Sequence, residues 1–229
     1  MSTIECRPAG LLLDIGGTVL RATSFDFEAG IRALNPLVAG NSLITELRSA
    51  IDAVHRSNSA DFAMTQWITK NRKHFSREGS LADLEHLVYR ETFSPILIPG
   101  IRKVLIDLKR LNVSVGCVSN TVFSSRVLLR EMRRHRLTNL IRFVVSSAEY
   151  SIRKPKREIF LAGVNKLGLK PSQTWFVGDT WEIDIEGAAA AALFPVYLSS
   201  TEQSPRSGVR HARAATWPQV WELVMQAPA

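Results

Sequence analysis

The stretch LLLDIGGTVLRAT, residues 11–23, joins an apolar run to an abrupt polar end. Three leucines lead into Asp14, and Ile15, two glycines and Thr18 follow. A short apolar run that stops at turn residues predicts a β-strand buried on both of its faces. Asp14 would then follow the strand, at the edge where open α/β sheets bind their ligands. The strand and its carboxylate therefore indicate both the fold and the place where a functional site is expected.

Further apolar runs of this kind predict strands at residues 113–119, 143–147, 174–179 and 194–200. Between the strands, apolar residues recur with the period of a helix. The helical patterns are GIRKVLIDLKRLN (100–112), VFSSRVLLREMRRH (122–135) and KREIFLAGVNKLG (156–168). Alternating strands and helices predict an α/β fold with a parallel sheet and helices on both of its faces, a Rossmann-like three-layer sandwich.

The part of the chain between the first two strands differs, because its patterns predict helices only. The predicted helix N-caps there are Asn41 or Ser42, and Ser80. A helical block placed directly after the first strand is expected to cover the carboxyl edge of the sheet. We therefore predict a core domain of residues 1–21 and 96–229, interrupted by an inserted α-helical cap domain of residues 22–95. Downstream, residues 201–216 are predicted to be a loop, and residues 217–226 a closing helix.

The composition is that of a soluble globular protein, with 45% hydrophobic and 22% charged residues. No apolar run approaches the roughly 18 residues that a membrane span requires, and the N-terminus lacks the pattern of a secretory signal. Cys6 and Cys117 form no CxxC pair, so we expect free thiols and no zinc site. These features together predict a cytoplasmic location and no membrane partner.

The net charge of +8 is concentrated in residues 128–137 and 153–158. A basic surface of this kind is either simply solvated or attracts anionic substrates or an acidic partner. The sequence does not choose between these roles for the segment from Arg130 to Arg136. Nucleic-acid binding is not expected, because no recognition motif accompanies the charge. The oligomeric state is not determined by the sequence.

Polar motifs stand at the ends of the predicted strands or in the segments that follow them. They are Ser119-Asn120-Thr121, Arg153-Lys154-Pro155, and Asp179 followed by Asp184 in GDTWEID. Together with DIGGT, these motifs resemble in their order those of the haloacid dehalogenase superfamily. The resemblance is to its phosphatase branch with a helical cap between the first and second motifs. It covers nearly the whole chain, and it rests on the order of the motifs more than on any one of them.

The resemblance implies a set of roles for these residues. Asp14 would be the nucleophile, forming an aspartyl-phosphate that water hydrolyses. Asp14, Asp179 and the backbone carbonyl of Gly16 would hold Mg²⁺, an ion that prefers oxygen ligands. The substrate phosphate would be bound by Thr18, Ser119, Asn120 and Lys154. Asp184 would orient a metal-bound water or Lys154. Taken singly, Ser119, Lys154 and Asp184 also fit the roles of helix cap, surface base and solvated helix residue.

The DIGGT motif is also similar to the phosphate loop of actin-like sugar kinases. In such a kinase Asp14 and the adjacent glycines would bind magnesium and the phosphates of ATP. That family has two related halves and a second phosphate loop. This chain is short for two halves and has no second Asp-Gly loop, which disfavours the kinase hypothesis.

Gly16 departs from the pattern of the phosphatases in this superfamily. The second residue after their nucleophile is usually Asp, which protonates the leaving oxygen and then activates water. Glycine cannot transfer a proton, and general acid–base groups contribute about 10²- to 10⁴-fold to rates. We expect a phosphatase that is slow, specialised for leaving groups that need no proton, or supplied with an acid by the cap. The candidate cap acids are Asp52, His55, His74 and His86.

Two further hypotheses remain beside a phosphatase acting on a small phosphorylated metabolite. One is a carbon–halogen or carbon–phosphorus hydrolase, since such relatives also lack the second Asp. Dehalogenation requires no magnesium, so the pair Asp179 and Asp184 disfavours it. Phosphonate cleavage requires a cap lysine that forms a Schiff base, for which Lys70 and Lys73 are candidates. The other hypothesis is a non-catalytic descendant that binds a phosphorylated ligand or a partner.

Overall fold

A computed structural model describes residues 4, 6–34, 41–57, 62–75, 80–200 and 208–228. Its strands are β1 Gly10–Leu13, β2 Leu20–Ala22, β3 Pro95–Leu97, β4 Ser114–Ser119, β5 Val144–Ser146, β6 Thr174–Gly178, β7 Phe194–Leu198 and β8 Ala212–Ala214. Six of them form one sheet in the order β5-β4-β1-β6-β7-β8, and every neighbouring pair is parallel. The predicted parallel sheet is confirmed.

The helices that follow β3 pack on the two faces of this sheet, and the remaining helices lie between β2 and β3. The helices are α1 Phe27–Arg32, α2 Asn41–Ser57, α3 Met64–Lys70, α4 Leu81–Phe93, α5 Ile101–Arg110, α6 Ser125–Arg134, α7 Ser147–Tyr150, α8 Arg157–Leu167, α9 Glu186–Ala190 and α10 Trp217–Gln226. Alternate residues of β1 enter different cores, since Leu12 belongs to one cluster and both Leu11 and Leu13 to the other. This alternation is the strand periodicity of two, and it produces the predicted three-layer α/β sandwich.

The central strand β1 sets the position of the site. All four of its residues are buried, and it pairs with β4 on one side and β6 on the other. In this register Leu13 lies opposite both Cys117 and Val177. Parallel pairing in register brings the residues that follow β1, β4 and β6 to the same edge of the sheet. The motif residues therefore gather at one end of the molecule.

The segment between the first two strands of the sheet is not purely helical, which corrects the sequence-based expectation. Its helices α1 to α4 are flanked by β2 and β3, which form an antiparallel ribbon with Ala22 opposite Pro95. Ribbons this short carry little of the alternating pattern that reveals strands. Ser80 is the N-cap of α4, accepting a hydrogen bond from the Asp83 backbone. The side chains of Asn41 and Ser42 lie outside the described residues.

The helical segment contacts the sheet domain through α4 and α6. Glu85 is 1% exposed, and its two carboxylate oxygens accept hydrogen bonds from the Ser124 backbone at 2.6 Å and the Ser124 hydroxyl at 2.7 Å. Ser124 is itself the N-cap of α6. At the exposed rim of the same contact, Arg130 bonds Asp83 at 2.6 Å. A buried carboxylate at a helix N-terminus is favoured by the unpaired amides there, so this contact fixes α4 over the sheet edge.

The C-terminal region contains one strand that the sequence did not predict. Residues 212–214 form β8, which pairs with β7 at the edge of the sheet, where a loop was expected. Three residues at an edge, preceded by turn residues, give too short a pattern to predict. The closing helix is confirmed as α10, and Cys117 is a buried free thiol as expected. No helix among the described residues is long and apolar enough to cross a membrane.

Candidate active site

A cavity of about 380 Å³ opens at the carboxyl ends of the strands. The sequence-predicted residues that line it are Asp14, Gly16, Ser119, Asn120, Lys154, Asp179 and Asp184. They come from four separate stretches of the chain and meet because β1, β4, β5 and β6 run parallel. The structure therefore places all but one of the predicted site residues around a single cavity.

Lys154 connects two of the three carboxylates in this cavity. Its Nζ donates to Asp14 Oδ1 at 2.5 Å and to Asp184 Oδ1 at 2.7 Å. The Lys154 side chain is 2% exposed, so these bonds form away from bulk water. The second oxygen of Asp184 accepts a hydrogen bond from the Thr180 backbone at 3.1 Å, which fixes the carboxylate. These contacts favour the second of the two predicted roles of Asp184, which is to orient Lys154.

Asp179 completes an acidic cluster. Oxygen atoms of Asp14, Asp179 and Asp184 lie within 4.8 Å of one another. Gly17 makes room for this cluster, because a Cβ at that position would lie 1.9 Å from Asp179 Oδ2. Its φ of +79° is also one that side-chain-bearing residues rarely adopt. Carboxylate oxygens are the ligands that Mg²⁺ prefers, and these three are suited to hold such an ion.

The electrostatics of the cluster reflect burial and crowding of like charges. Burial raises the pKa of Asp14 to about 7, against the opposing effect of the Lys154 ammonium. Burial and the neighbouring Asp184 likewise raise the pKa of Asp179. Burial disfavours the charge of Lys154, but Asp14 and Asp184 outweigh it and raise the Lys154 pKa. Three carboxylates lie close together and only one ammonium group, that of Lys154, offsets their charge. A bound cation would therefore favour the ionised forms of the carboxylates.

Asn120 holds the backbone of Lys154. Its Nδ2 donates to the Lys154 carbonyl at 2.9 Å, and its Oδ1 accepts from the Lys154 amide at 2.8 Å. Both polar groups of the side chain are thus engaged, although Asn120 had been predicted to bind the substrate phosphate. The contacts favour a positioning role, in which Asn120 connects the end of β4 to the lysine loop.

Replacing Asn120 with Ala is expected to lower kcat about 10- to 100-fold with little change in KM. The loop would lose both hydrogen bonds, and small misplacements of reacting groups cost up to about 10²-fold. Steady-state phosphate release measures both constants. Asn165→Ala, an exposed amide on α8, is the matched control and should have no effect. Wild-type kcat in Asn120→Ala would exclude the positioning role.

Thr18 is the predicted phosphate-binding residue that the structure does not bring to the cavity. Its side chain is 0% exposed, and its hydroxyl has no hydrogen-bond partner among the described residues. Its carbonyl accepts a hydrogen bond from Trp217 Nε1 at 2.9 Å. The chain turns back at residues 15–20, where Val19 and Leu20 both donate to the Ile15 carbonyl, and this turn buries Thr18. Thr18 therefore joins the loop to α10, which corrects the predicted contact with phosphate.

Gly16 lies in open space at the cavity. A Cβ built at this position meets no atom within 4 Å, and φ of Gly16 is not positive. A larger side chain is therefore compatible with the loop. The loop therefore has room for the Asp side chain that phosphatases of this kind usually carry here.

None of the described cap residues proposed as proton donors or as Schiff-base lysines lines the cavity. They are Asp52, His74, His86, Lys70 and Lys73. His86 is buried against α6 instead, 3.6 Å from Glu131, and burial lowers its pKa. The side chain of His55 lies outside the described residues. Helical periodicity gives the face of a residue but not which face covers the site, so the sequence alone could not tell which cap residues reach the cavity.

Several lining residues were not assigned by sequence. Phe25, Tyr89 and Phe93 line the cavity from the helical segment and its approach. Arg153 lines it beside Lys154, and burial lowers the Arg153 pKa. The position of Arg153 next to the motif lysine was a usable signal. Nothing in the local sequence distinguished these aromatic residues from those of a helix core.

An open parallel sheet that gathers carboxylates and a lysine beyond its strand ends is the arrangement of a Rossmann-like hydrolase. The model of one such family, the haloacid dehalogenase-like hydrolases, matches residues 9–192. The chain therefore belongs to the haloacid dehalogenase-like hydrolase family.

Solved structures share the fold. A 2-haloacid dehalogenase from Pseudomonas syringae superposes with a TM-score of 0.68 at 16% identity, covering 98% of this chain and 99% of that one. A HAD phosphatase from Thermococcus onnurineus superposes with a TM-score of 0.64 at 18% identity, covering 96% of this chain and 98% of that one. At these identities the likeness establishes the fold alone.

Curated relatives match in part. A ribulose-1,5-bisphosphate 5-phosphatase from Halopiger xanaduensis is 29% identical over 125 residues, 55% of this chain and 51% of that protein. A glyceraldehyde 3-phosphate phosphatase from Methanothermobacter thermautotrophicus is 31% identical over 104 residues, 44% of each chain. The chain thus matches about half the length of the curated relatives.

Proposed function

We propose that this protein is a Mg²⁺-dependent phosphatase that forms an aspartyl-phosphate on Asp14 and acts on a small phosphorylated metabolite. The observation that carries the proposal is the contact of Lys154 Nζ with both Asp14 and Asp184, inside a cavity that also contains Asp179. A carboxylate nucleophile, a buried cation and an acidic cluster are the groups that phosphoryl transfer through an enzyme carboxylate requires.

The residues of the chain have separate tasks in this proposal. An oxygen of Asp14 attacks phosphorus while the bond to the leaving oxygen breaks, and water later cleaves the acyl phosphate. Lys154 stabilises negative charge on the transferring group, as fixed cations do in phosphoryl transfer. Asp184 keeps the ammonium in place. Ser119, which lines the cavity at the end of β4, donates its hydroxyl to a phosphate oxygen.

The donor set fits a magnesium ion. Asp14 and Asp179 would hold it with the Gly16 carbonyl, and Asp184 lies close enough to take part directly or through water. When bound, Mg²⁺ neutralises the repulsion between a carboxylate nucleophile and an anionic phosphate.

Alternative activities have less support. Among the described residues, the candidate Schiff-base lysines do not line the cavity, which disfavours phosphonate cleavage. Asp179 and Asp184, clustered beside the predicted nucleophile, have no task in a metal-independent dehalogenation. The arrangement of Lys154 between two carboxylates disfavours a descendant that has lost catalysis, since an unused buried ion pair is costly.

The test is phosphate release from acetyl phosphate, phenyl phosphate and glycerol 3-phosphate, with Mg²⁺ and with excess chelator. Turnover of at least one of these three compounds should require Mg²⁺ and return when the metal is restored. Activity that is equal in chelator would contradict the metal site, and no turnover of any of the three compounds would contradict the phosphatase. Thermal stabilisation by ATP would revive the kinase hypothesis.

A further inference from the structure

Beside the carboxylates, the cavity has an apolar part of its lining that is rich in aromatic rings, called here the aromatic wall. Its residues are Leu20, Ala22, Phe25, Tyr89, Phe93 and Pro95. They come from the β2–β3 ribbon, from the segment leading into α1, and from α4. A ligand whose phosphate lies at Asp14 and Lys154 would therefore place the rest of its body against carbon surface.

Phe25 is the exposed part of this wall. Its residue surface is 60% exposed, although it lines the cavity. Its ring lies 5.3 Å from that of Phe93, at an interplanar angle of 66°, and the Phe93 ring lies 5.1 Å from that of Tyr89. Rings at these separations form a continuous aromatic surface. Ligand sites are lined mainly by such surfaces, with few polar groups to orient the ligand.

The aromatic wall continues into a neighbouring cavity of about 190 Å³. The two cavities share Phe25 and Phe93, together with the polar residues Asn120, Thr121 and Arg153, and Phe27 and Phe123 line the second one. A hydroxyl-rich substrate would lose hydrogen bonds to water against these rings, and such unpaired groups are costly. A flat apolar group would instead gain contact with them.

The absence of an acid at Gly16 is a second, independent reason to expect an aromatic leaving group. Glycine at this position cannot protonate the leaving oxygen, which favours leaving groups that depart as stable anions. A phenol ionises near pH 10, as tyrosine does, so its anion is a far better leaving group than an aliphatic alkoxide. The phosphorus–oxygen bond breaks with its electron pair on the phenolic oxygen, and no proton from the protein is required.

We propose that this site hydrolyses aryl phosphates, with the ring of the leaving group packed against Phe25 and Phe93. The proposal rests on the proposed phosphatase function and adds the class of substrate. Asp14 displaces the aryl oxide, forming the aspartyl-phosphate, and water then cleaves this intermediate to inorganic phosphate. The released aryl oxide takes its proton from solvent.

The experiment compares kcat/KM for phenyl phosphate, acetyl phosphate and glycerol 3-phosphate. Acetyl phosphate has a good leaving group and no ring, so it separates leaving-group reactivity from recognition of the ring. Phe25→Ala should lower the ratio of phenyl to acetyl phosphate about ten-fold, mainly through KM, because one aromatic contact is lost. Phe25→Trp should largely restore the ratio. Ile96→Ala, which removes a 40% exposed apolar side chain outside the cavity, is the matched control.

The outcomes separate the two proposals. Hydrolysis of phenyl phosphate that exceeds that of glycerol 3-phosphate and depends on Phe25 supports the aryl assignment. A ratio unchanged in Phe25→Ala, or preference for glycerol 3-phosphate, overturns that assignment and leaves the phosphatase standing. If phenyl phosphate, glycerol 3-phosphate and acetyl phosphate are all inert with Mg²⁺, the proposed phosphatase function is overturned. The proposed substrate class is then overturned as well.

Discussion

Asp14→Asn should lower the phosphatase activity by about 10⁴-fold or more, the scale at which loss of a nucleophile leaves only residual catalysis. The amide has nearly the same shape as the carboxylate but cannot form an acyl phosphate under these conditions. The remaining groups at the site, including Lys154 and Asp184, would still bind the substrate phosphate. The effect should therefore fall on kcat, with KM changed much less.

The same substitution should not destabilise the fold. Burial raises the pKa of Asp14 to about 7, so above neutral pH the metal-free protein holds an ionised form that its surroundings disfavour, and Tm is compared in excess chelator. A neutral Asn removes that penalty, and Lys154 keeps its bond to Asp184. We expect a Tm equal to or above that of the wild type. This expectation allows a loss of activity to be assigned to chemistry rather than unfolding.

Phosphate release and thermal unfolding of one protein preparation test both expectations. Asp107→Asn is the matched control, because Asp107 forms ion pairs on the exposed side of α5 with Lys103 and Arg110. It should keep wild-type activity. If Asp14→Asn retains more than about a tenth of the activity, the nucleophile is another group and the aspartyl-phosphate mechanism is wrong.

Gly16→Asp should increase kcat for an aliphatic ester such as glycerol 3-phosphate by about 10²-fold, the lower end of what general acid catalysis contributes. A carboxyl group at this position would protonate the leaving alkoxide and then activate water. The loop can accept the side chain, because a Cβ at Gly16 meets no atom within 4 Å. For phenyl phosphate the gain should be small, since a phenolate leaves without a proton.

Gly16→Asn is the decisive control, because it adds the same volume without a transferable acidic proton. Kinetics of the two variants on glycerol 3-phosphate and phenyl phosphate distinguish proton transfer from altered binding. An equal response of Asp and Asn variants would show that the side chain acts through shape alone. Unchanged kcat in Gly16→Asp would mean that the acid comes from elsewhere or that proton transfer does not limit the rate.

The sequence predicted the sheet well, because its signal is local. Each inner strand is a short run of apolar residues that ends in polar ones, and LLLDI, VSVGCVS and TWFVGD all became buried parallel strands. The short strands β2, β3 and β8 were missed, since three residues carry too little periodicity, whereas the equally short β5 lies in the apolar run at residues 143–147. Asp14, Ser119, Lys154, Asp179 and Asp184 could be found for a similar reason, as each stands at the end of a strand or in the segment after it.

The roles of neighbouring residues were not predictable in this way. Thr18 and Asn120 stand beside motif residues, yet one is buried under α10 and the other holds the Lys154 backbone. The cap histidines had suitable chemistry, but His86 is buried against α6. Which way a side chain points depends on the path of its loop and the packing of its helix, and both are set by distant parts of the chain.

The sequence by itself determined the α/β class, the order of the motifs and the absence of an acid at Gly16, because strand hydrophobicity and residue chemistry are local properties. Only the tertiary structure decided that Lys154 joins Asp14 and Asp184, and that Phe25 and Phe93 line the same cavity. These residues lie far apart in the chain. Parallel strand pairing and the packing of α4 on α6 bring them within reach of one ligand.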